Sequence, residues 1–230
     1  MVQKTEEYVR GVFAGISRSY DKLDSLISFY MDNRWRKQMI NLLELPEEAT
    51  VLDCGAGTGK LTELLHGRAR GIKTISLDIT EDMFRPERNQ GTRFIIGSAE
   101  EIPLESGTVD SVVSAYMTRN LIKIDRYFSE SFRVLKPGGK IVNMDIYNPS
   151  LPVFSQFFSI YFYRLVPIIG NFLSGTESYS YLAHSVKTFY SPTEVGSRLQ
   201  KAGFSNVGFR KLMLGSIIIH TGIKPQLDKI

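Results

Sequence analysis

Apolar positions near the start of the chain recur every three or four residues. Leu23, Leu26 and Ile27, then Met39, Leu42 and Leu43, keep this spacing through LDSLISFYMDNRWRKQMINLLEL. Such a period lines one face of a helix, so the first 45 residues are predicted helical, with Pro46 as the stop. Past Pro46 the pattern shifts to short β-rich runs. TVLDC (50–54), IKTISLD (72–78), RFIIG (93–97), VDSVVSAY (109–116) and KIVNMDIY (140–147) read as five strands. GKLTELLHG forms a helical crossover between the first two. DRYFSESFRVLKPGG reads as a helix with Phe128, Phe132 and Leu135 on one face, stopped by Pro137-Gly138-Gly139. Ser191-Pro192-Thr193-Glu194 has the form of a capping box opening another helix. NVGFRKL and GSIIIHTGIK close the chain as strands, and their short connection predicts one antiparallel strand. Alternating strands and helices give an α/β, Rossmann-like sheet, mostly parallel, with helices on both faces and ligands at the carboxyl ends of its strands.

Composition changes this picture little. A chain of 230 residues can bury one large core, and neither a repeat nor a linker divides it. The net charge of +4 comes without a basic run or zinc spacing, so solvated Lys and Arg are favoured over a nucleic-acid surface. One cysteine, Cys54, allows no internal disulfide, and a reducing, cytoplasmic compartment is the default. The N-terminus shows no apolar signal-peptide core. The aromatic stretch 151–173 is interrupted by Gln156, Arg164, Pro167 and Asn171. It is expected to be an amphipathic lid or membrane-surface helix rather than a span. A helix buried on the sheet or facing a second copy, as in a homodimer, is the competing reading.

The most specific chemistry lies in DCGAGTG, residues 53–59. The dinucleotide fingerprint needs one more residue between its last two glycines, and Gly59-Lys60-Leu61 lacks the hydroxyl that a P-loop requires. An acidic residue before three alternating glycines fits S-adenosylmethionine, whose ammonium Asp53 would attract while Gly55, Gly57 and Gly59 let backbone approach its amino-acid part. Asp78, in ISLDIT at the end of the second strand, is placed to accept both ribose hydroxyls, and Ser98 and Ala99 follow the third strand near the adenine.

With these residues the chain resembles the methyltransferases of ubiquinone and menaquinone biosynthesis, the UbiE type, over nearly its whole length. The resemblance rests on VRGVFAGISRSYDKLDSLISFYMDNRWRK, VLDCGAGTGKLT, TRNL, RVLKPGG, YSYLAHSVKTF and HTGIKP. The glycine motif and LKPGG are shared by many class I methyltransferases; Tyr20-Asp21, Trp35-Arg36, Arg119-Asn120 and the Tyr-x-Tyr-Leu block are more specific. The family fold implies a seven-stranded sheet with the last strand antiparallel. The resemblance also places Thr58, Asp78, Ile79, Ser98, Ala99 and Ala115 at cofactor-contact positions. Ser98, Asp145 and His184 depart from the family pattern, where Asp or Asn, Glu, and Glu are usual.

The resemblance implies C-methylation of a prenylated, demethylmenaquinol-like quinol, with S-adenosylhomocysteine as product. Arg119 and Asn120 would orient the acceptor and stabilise its phenolate; His184 would serve as base, and Asp145 either as base or as a partner orienting His184. His66 and His220 read as structural, and no metal site is expected. One domain over 1–230 is expected: a helical cap (1–46), a cofactor-binding core (47–148), a helical substrate lid (149–190) and a C-terminal helix with strands (191–230). A lipophilic small molecule is the expected partner, with peripheral contact at the inner membrane face left open and nucleic acid not expected. Two rivals stay open: methylation of another lipophilic or phenolic small molecule, and cofactor binding without catalysis.

Overall fold

The computed structural model describes residues 4–68 and 70–226. Three helices come first: α1 (Glu6–Ile16), α2 (Tyr20–Ile27) and α3 (Asp32–Ile40). The apolar period that reads as one helix from Leu23 onward is broken at Phe29 and Tyr30, whose φ angles are 52° and 60°. Two consecutive residues in the left-handed region end α2 and start α3 afresh.

The sheet follows as β1 (Thr50–Cys54), α4 (Lys60–His66), β2 (Lys73–Asp78), β3 (Arg93–Ile96), β4 (Val109–Ala115), α5 (Ile124–Val134) and β5 (Leu135–Ile146). α5 ends three residues before Pro137, because Leu135 is already extended and pairs with Val109. The seven strands lie in the order β3-β2-β1-β4-β5-β7-β6. β7 (Ile217–Ile223) inserts between β5 and β6 (Ser205–Leu212), antiparallel to both, as the short terminal connection predicts. The order reverses between β1 and β4, so the loops leaving these strands flank a crevice.

Period-two alternation explains the layers. Leu52, Val112, Ile141 and Ile218 face α5 and α9 (Pro192–Lys201), packing on Phe128 and Leu199. Their strand neighbours Val51, Val113, Val142 and Ile219 face α3 and α4, packing on Trp35, Met39, Leu61 and Leu65. Ser191 and Glu194 form the reciprocal capping box at the start of α9.

Between β5 and α9 lie α6 (Pro152–Ile160), a π-helical turn (Tyr161–Leu165), α7 (Val166–Ser174) and α8 (Ser178–Lys187). The π turn lets the helix run through Pro167, which has no amide proton to offer: Val166 N instead reaches Tyr161 O. The continuous helix Pro152–Ser174 is long and apolar enough to cross a membrane by length and composition alone. Its Phe158, Phe162 and Val166 are buried in a cluster with Ile16, Leu23 and Tyr179, so one face belongs to the protein core.

Candidate active site

From Cys54 the chain turns through the glycine loop into α4. Gly55 and Gly59 hold φ of 65° and 79°; a Cβ would come within 2.3 Å of Met117 at the first and 1.9 Å of the Asn89 amide at the second. No larger residue fits either position without displacing a neighbour. Gly57 N donates to Asp78 Oδ2 and Thr80 N to Asp78 Oδ1, each at 2.8 Å. Both oxygens of Asp78 are thus fixed by backbone and each retains a lone pair. Burial raises the Asp78 pKa, and these hydrogen bonds oppose the rise.

Asp53 is 1% exposed. Its Oδ2 accepts the Thr62 hydroxyl at 2.7 Å, while Oδ1 has no partner among the described residues. Burial pushes this carboxyl up to about 7, against the Thr62 hydrogen bond and the nearby Arg36 charge. A buried, orphaned carboxylate oxygen beside a loop open to close approach suits a ligand ammonium, the group S-adenosylmethionine carries in its amino-acid part. The residues present fit that cofactor.

A second turn leaves the adjacent strand β4. Tyr116 follows it with φ 63°, a left-handed conformation rare for a bulky residue. Its carbonyl accepts Arg119 Nη1 at 2.7 Å and Asn120 Nδ2 at 3.1 Å. Asp145, on β5, underpins the turn: Oδ2 accepts the Thr118 hydroxyl at 2.7 Å and Arg119 N at 3.0 Å, and Oδ1 accepts Arg119 Nη1 at 2.5 Å and Ile146 N at 2.8 Å. With two donors on each oxygen, Asp145 is a positioning residue and is not placed as the base the sequence suggested. Burial is the largest single influence on the Arg119 charge and works against it, but Asp145, Tyr20 and Tyr181 together outweigh it and the pKa is raised. Arg119 Nε is buried without a partner among the described residues.

Two cavities meet between these turns. The one beside the glycine loop, about 80 Å³, is lined by Gly55, Gly57, Asp78, Ile79, Ser98, Ala99 and Ala115, and α1 closes it with Glu6, Val9 and Phe13. A recess continuing from it brings in Asp53 and Thr58. Thr58 turns its hydroxyl to Asp21 at 2.6 Å, and Gly59 lines neither space, serving instead as the left-handed start of α4. The larger cavity, about 260 Å³, contains Arg119 and Asn120 together with Tyr20, Asp24 and Tyr116, and opens past Phe29, Phe154, Phe157 and Tyr161. Phe13, Tyr20, Tyr116 and Asn120 line both cavities.

His184 joins neither. α8 buries Tyr179, Ala183 and Val186, three positions on one helical face, which leaves His184 exposed on the other side. Sequence reading missed Tyr20 and Asp24 as cavity residues, and left Tyr116 between stacking on an acceptor ring and packing in the core; it lines both cavities. The signal for Asp24 was present: it stands four residues after Tyr20 and one after Leu23, a carboxylate on an otherwise apolar helical face.

The model of the ubiE/COQ5 methyltransferase family matches residues 1–224. A demethylmenaquinone methyltransferase of Lactococcus lactis is 32% identical over 238 residues, an alignment covering 100% of this chain and 94% of that protein. A ubiquinone/menaquinone biosynthesis C-methyltransferase of Geobacter sulfurreducens is 33% identical, covering 95% of this chain and 89% of its own. Among solved structures, a SAM-dependent methyltransferase from Thermotoga maritima superposes with a TM-score of 0.65 at 18% identity, covering 93% of this chain and 99% of that one, which speaks for the fold. With family similarity running through both turns and the whole sheet, the chain belongs to the ubiE/COQ5 methyltransferase family and is an S-adenosylmethionine-dependent methyltransferase.

Proposed function

We propose that this chain methylates a ring carbon of a prenylated, demethylmenaquinol-like quinol in respiratory quinone biosynthesis. The observation that carries the reading is the shared wall. A polar cavity at the glycine loop adjoins an aromatic-lined one through Phe13, Tyr20, Tyr116 and Asn120. A planar ring suits the inner part of the larger cavity, and an isoprenoid tail suits its mouth, where Phe29 and Phe157 are 66% and 68% exposed.

Asp53 would hold the cofactor ammonium, Asp78 its ribose hydroxyls, and Ser98 and Ala99 its adenine edge. Ile79 and Ala115 pack along it. When bound, S-adenosylmethionine supplies an electrophilic methyl group on a sulfonium. The chain's own work is alignment, exclusion of water and activation of the acceptor. Arg119, a lining residue whose buried Nε has no partner among the described residues, would turn its guanidinium charge toward a developing phenolate, and Asn120 would fix the turn that carries it. In this reading residues 1–46 cap the cofactor cavity, 47–148 form the cofactor-binding core, and 149–190 form a lid whose outer face meets the inner membrane surface. Residues 191–230 complete the sheet edge; the ends of the first and last segments lie outside the described residues.

The test is transfer of labelled methyl from S-adenosylmethionine to demethylmenaquinol with a short prenyl tail. Label in the organic extract, on carbon and stable to alkali, is expected. Label confined to a water-soluble phenol would favour another small-molecule acceptor.

A further inference from the structure

Ring methylation of a quinol needs a base, and neither sequence candidate is placed to be one. His184 is exposed on α8, and Asp145 is fully engaged below the turn after β4. Among the described residues lining the larger cavity, Asp24 is the one carboxylate. It stands one helical turn after Tyr20, so the two side chains share a face of α2. Tyr20 belongs to the wall between the cavities, whereas Asp24 lines only the larger one. A ring seated beyond Tyr20 therefore meets Asp24 on the side away from the glycine loop.

Asp24 is held without being used up. Oδ2 lies 3.1 Å from Arg36 Nη2 and 3.6 Å from Lys60 Nζ. Oδ1 accepts no hydrogen bond among the described residues, and the side chain is 20% exposed. The neighbouring phenols cannot take its place. Burial pushes Tyr20 and Tyr116 far up, with Asp24 adding to both shifts, so they remain neutral hydroxyls. The Tyr116 hydroxyl is buried with no partner among the described residues, and Tyr116 lines the same cavity.

We propose that Asp24 is the general base that accepts the acceptor's phenolic proton. The proposal rests on the quinol reading of this site. The acceptor O–H bond breaks and an Oδ1–H bond forms, leaving the electron pair on the acceptor oxygen and delocalised to the ortho ring carbon. That pair forms the new carbon–methyl bond while sulfur keeps the pair of the bond it loses. The ring proton is then lost and the hydroxyl regained, so one proton leaves in all, through the part-exposed Asp24 to solvent.

The test compares the wild type with Asp24→Asn on two acceptors: demethylmenaquinol with a short tail, and a ring-halogenated analogue already ionised at the assay pH. The variant keeps Arg36 and Lys60 paired, because Asp32 lies 2.7 and 3.0 Å from them. With the quinol, kcat is expected to fall on the order of 10²–10⁴-fold. With the ionised analogue the loss should stay under about tenfold, because no proton has to be removed. S-adenosylhomocysteine binding, read by calorimetry, should match the wild type. Asp24→Glu, which keeps a carboxylate, should recover part of the quinol rate. Equal losses on both acceptors, an undiminished quinol rate, or a glutamate variant as slow as the asparagine variant would overturn Asp24 as base. A wild type that methylates neither acceptor would instead overturn the quinol reading.

Discussion

A carboxyl that is 1% exposed and pushed up to about 7 by burial gives Asp53 opposite effects on folding and on ligand binding. Its folded value lies above the ordinary 3.8, so its contribution to stability is fullest below that value and is lost as pH rises through about 7. An ammonium, by contrast, needs the ionised form. Affinity for S-adenosylmethionine should therefore fall by up to about tenfold per unit below about 7, and weaken again in the alkaline range where the ligand's own amine loses its proton, measured by calorimetry across both ranges. Asp53→Asn should melt higher than the wild type at pH above about 7, with the advantage fading toward acid, while binding the cofactor roughly 10–100-fold more weakly. An unchanged affinity in this variant would separate Asp53 from the ammonium. At this scale the glycine loop and Asp78 were legible in the sequence, because their chemistry is local and fixed by spacing. Tyr116 was not: a left-handed turn occupied by a tyrosine carries no glycine to announce it, and it is held by Arg119 and Asn120 hydrogen bonds to its carbonyl.

Among the elements, α2 matters most, because it holds the glycine loop and shares the lining of the larger cavity with the turn after β4. Asp21 accepts the Thr58 hydroxyl at 2.6 Å and Arg88 Nη1 at 2.7 Å, and its backbone carbonyl takes Lys60 Nζ at 3.3 Å. The glycine loop and the start of α4 are thereby tied to a helix whose other face lines the larger cavity. α1 lines the smaller cavity beside Asp78 with Glu6, Val9 and Phe13, so the grip of these helices on the loop is expected to slow release of a bound cofactor. Asp21→Ala should loosen this grip by about 1–2 kcal/mol, the scale of partly buried charge-assisted contacts. S-adenosylhomocysteine should then dissociate roughly tenfold faster by stopped flow, and limited proteolysis between α1 and α3 should quicken. The capping box of α9 and the strands β1 to β5 followed from local pattern. The break between α2 and α3 did not, since Phe29 and Tyr30 read as apolar helix positions and adopt positive φ only in the folded chain. The larger cavity was illegible for a different reason: it collects residues from Val12 to Ile217, and only the closed topology brings them together.

For the molecule as a whole, the unresolved balance is between burial and exposure of the helix Pro152–Ser174. Phe158, Phe162, Val166 and Gly170 face inward, with Gly170 so close to Tyr179 that a Cβ would lie 2.3 Å from its ring. Val153, Phe157, Ile168 and Phe172 face outward, 67–85% exposed. Such a face is far larger than scattered surface apolar residues require, and it borders the cavity mouth through Phe157. Either a bilayer or a second copy would cover it. A second copy seated there would also cover the opening through which a prenyl tail must pass, whereas a bilayer would deliver that tail directly. The net charge of +4 adds attraction to anionic lipid. Each outward side chain buried in lipid contributes about 1.5–3 kcal/mol, enough together for reversible surface binding. The protein should therefore float with anionic vesicles in a density gradient. Phe172→Asp and Phe157→Asp should reduce the recovered fraction several-fold; Phe172→Asp, at a position 85% exposed, should leave the melting temperature nearly unchanged. Recovery no better than for a non-binding control, with a concentration-dependent dimer that Phe172→Asp dissolves, would assign the face to a second copy and require the acceptor to enter by another route.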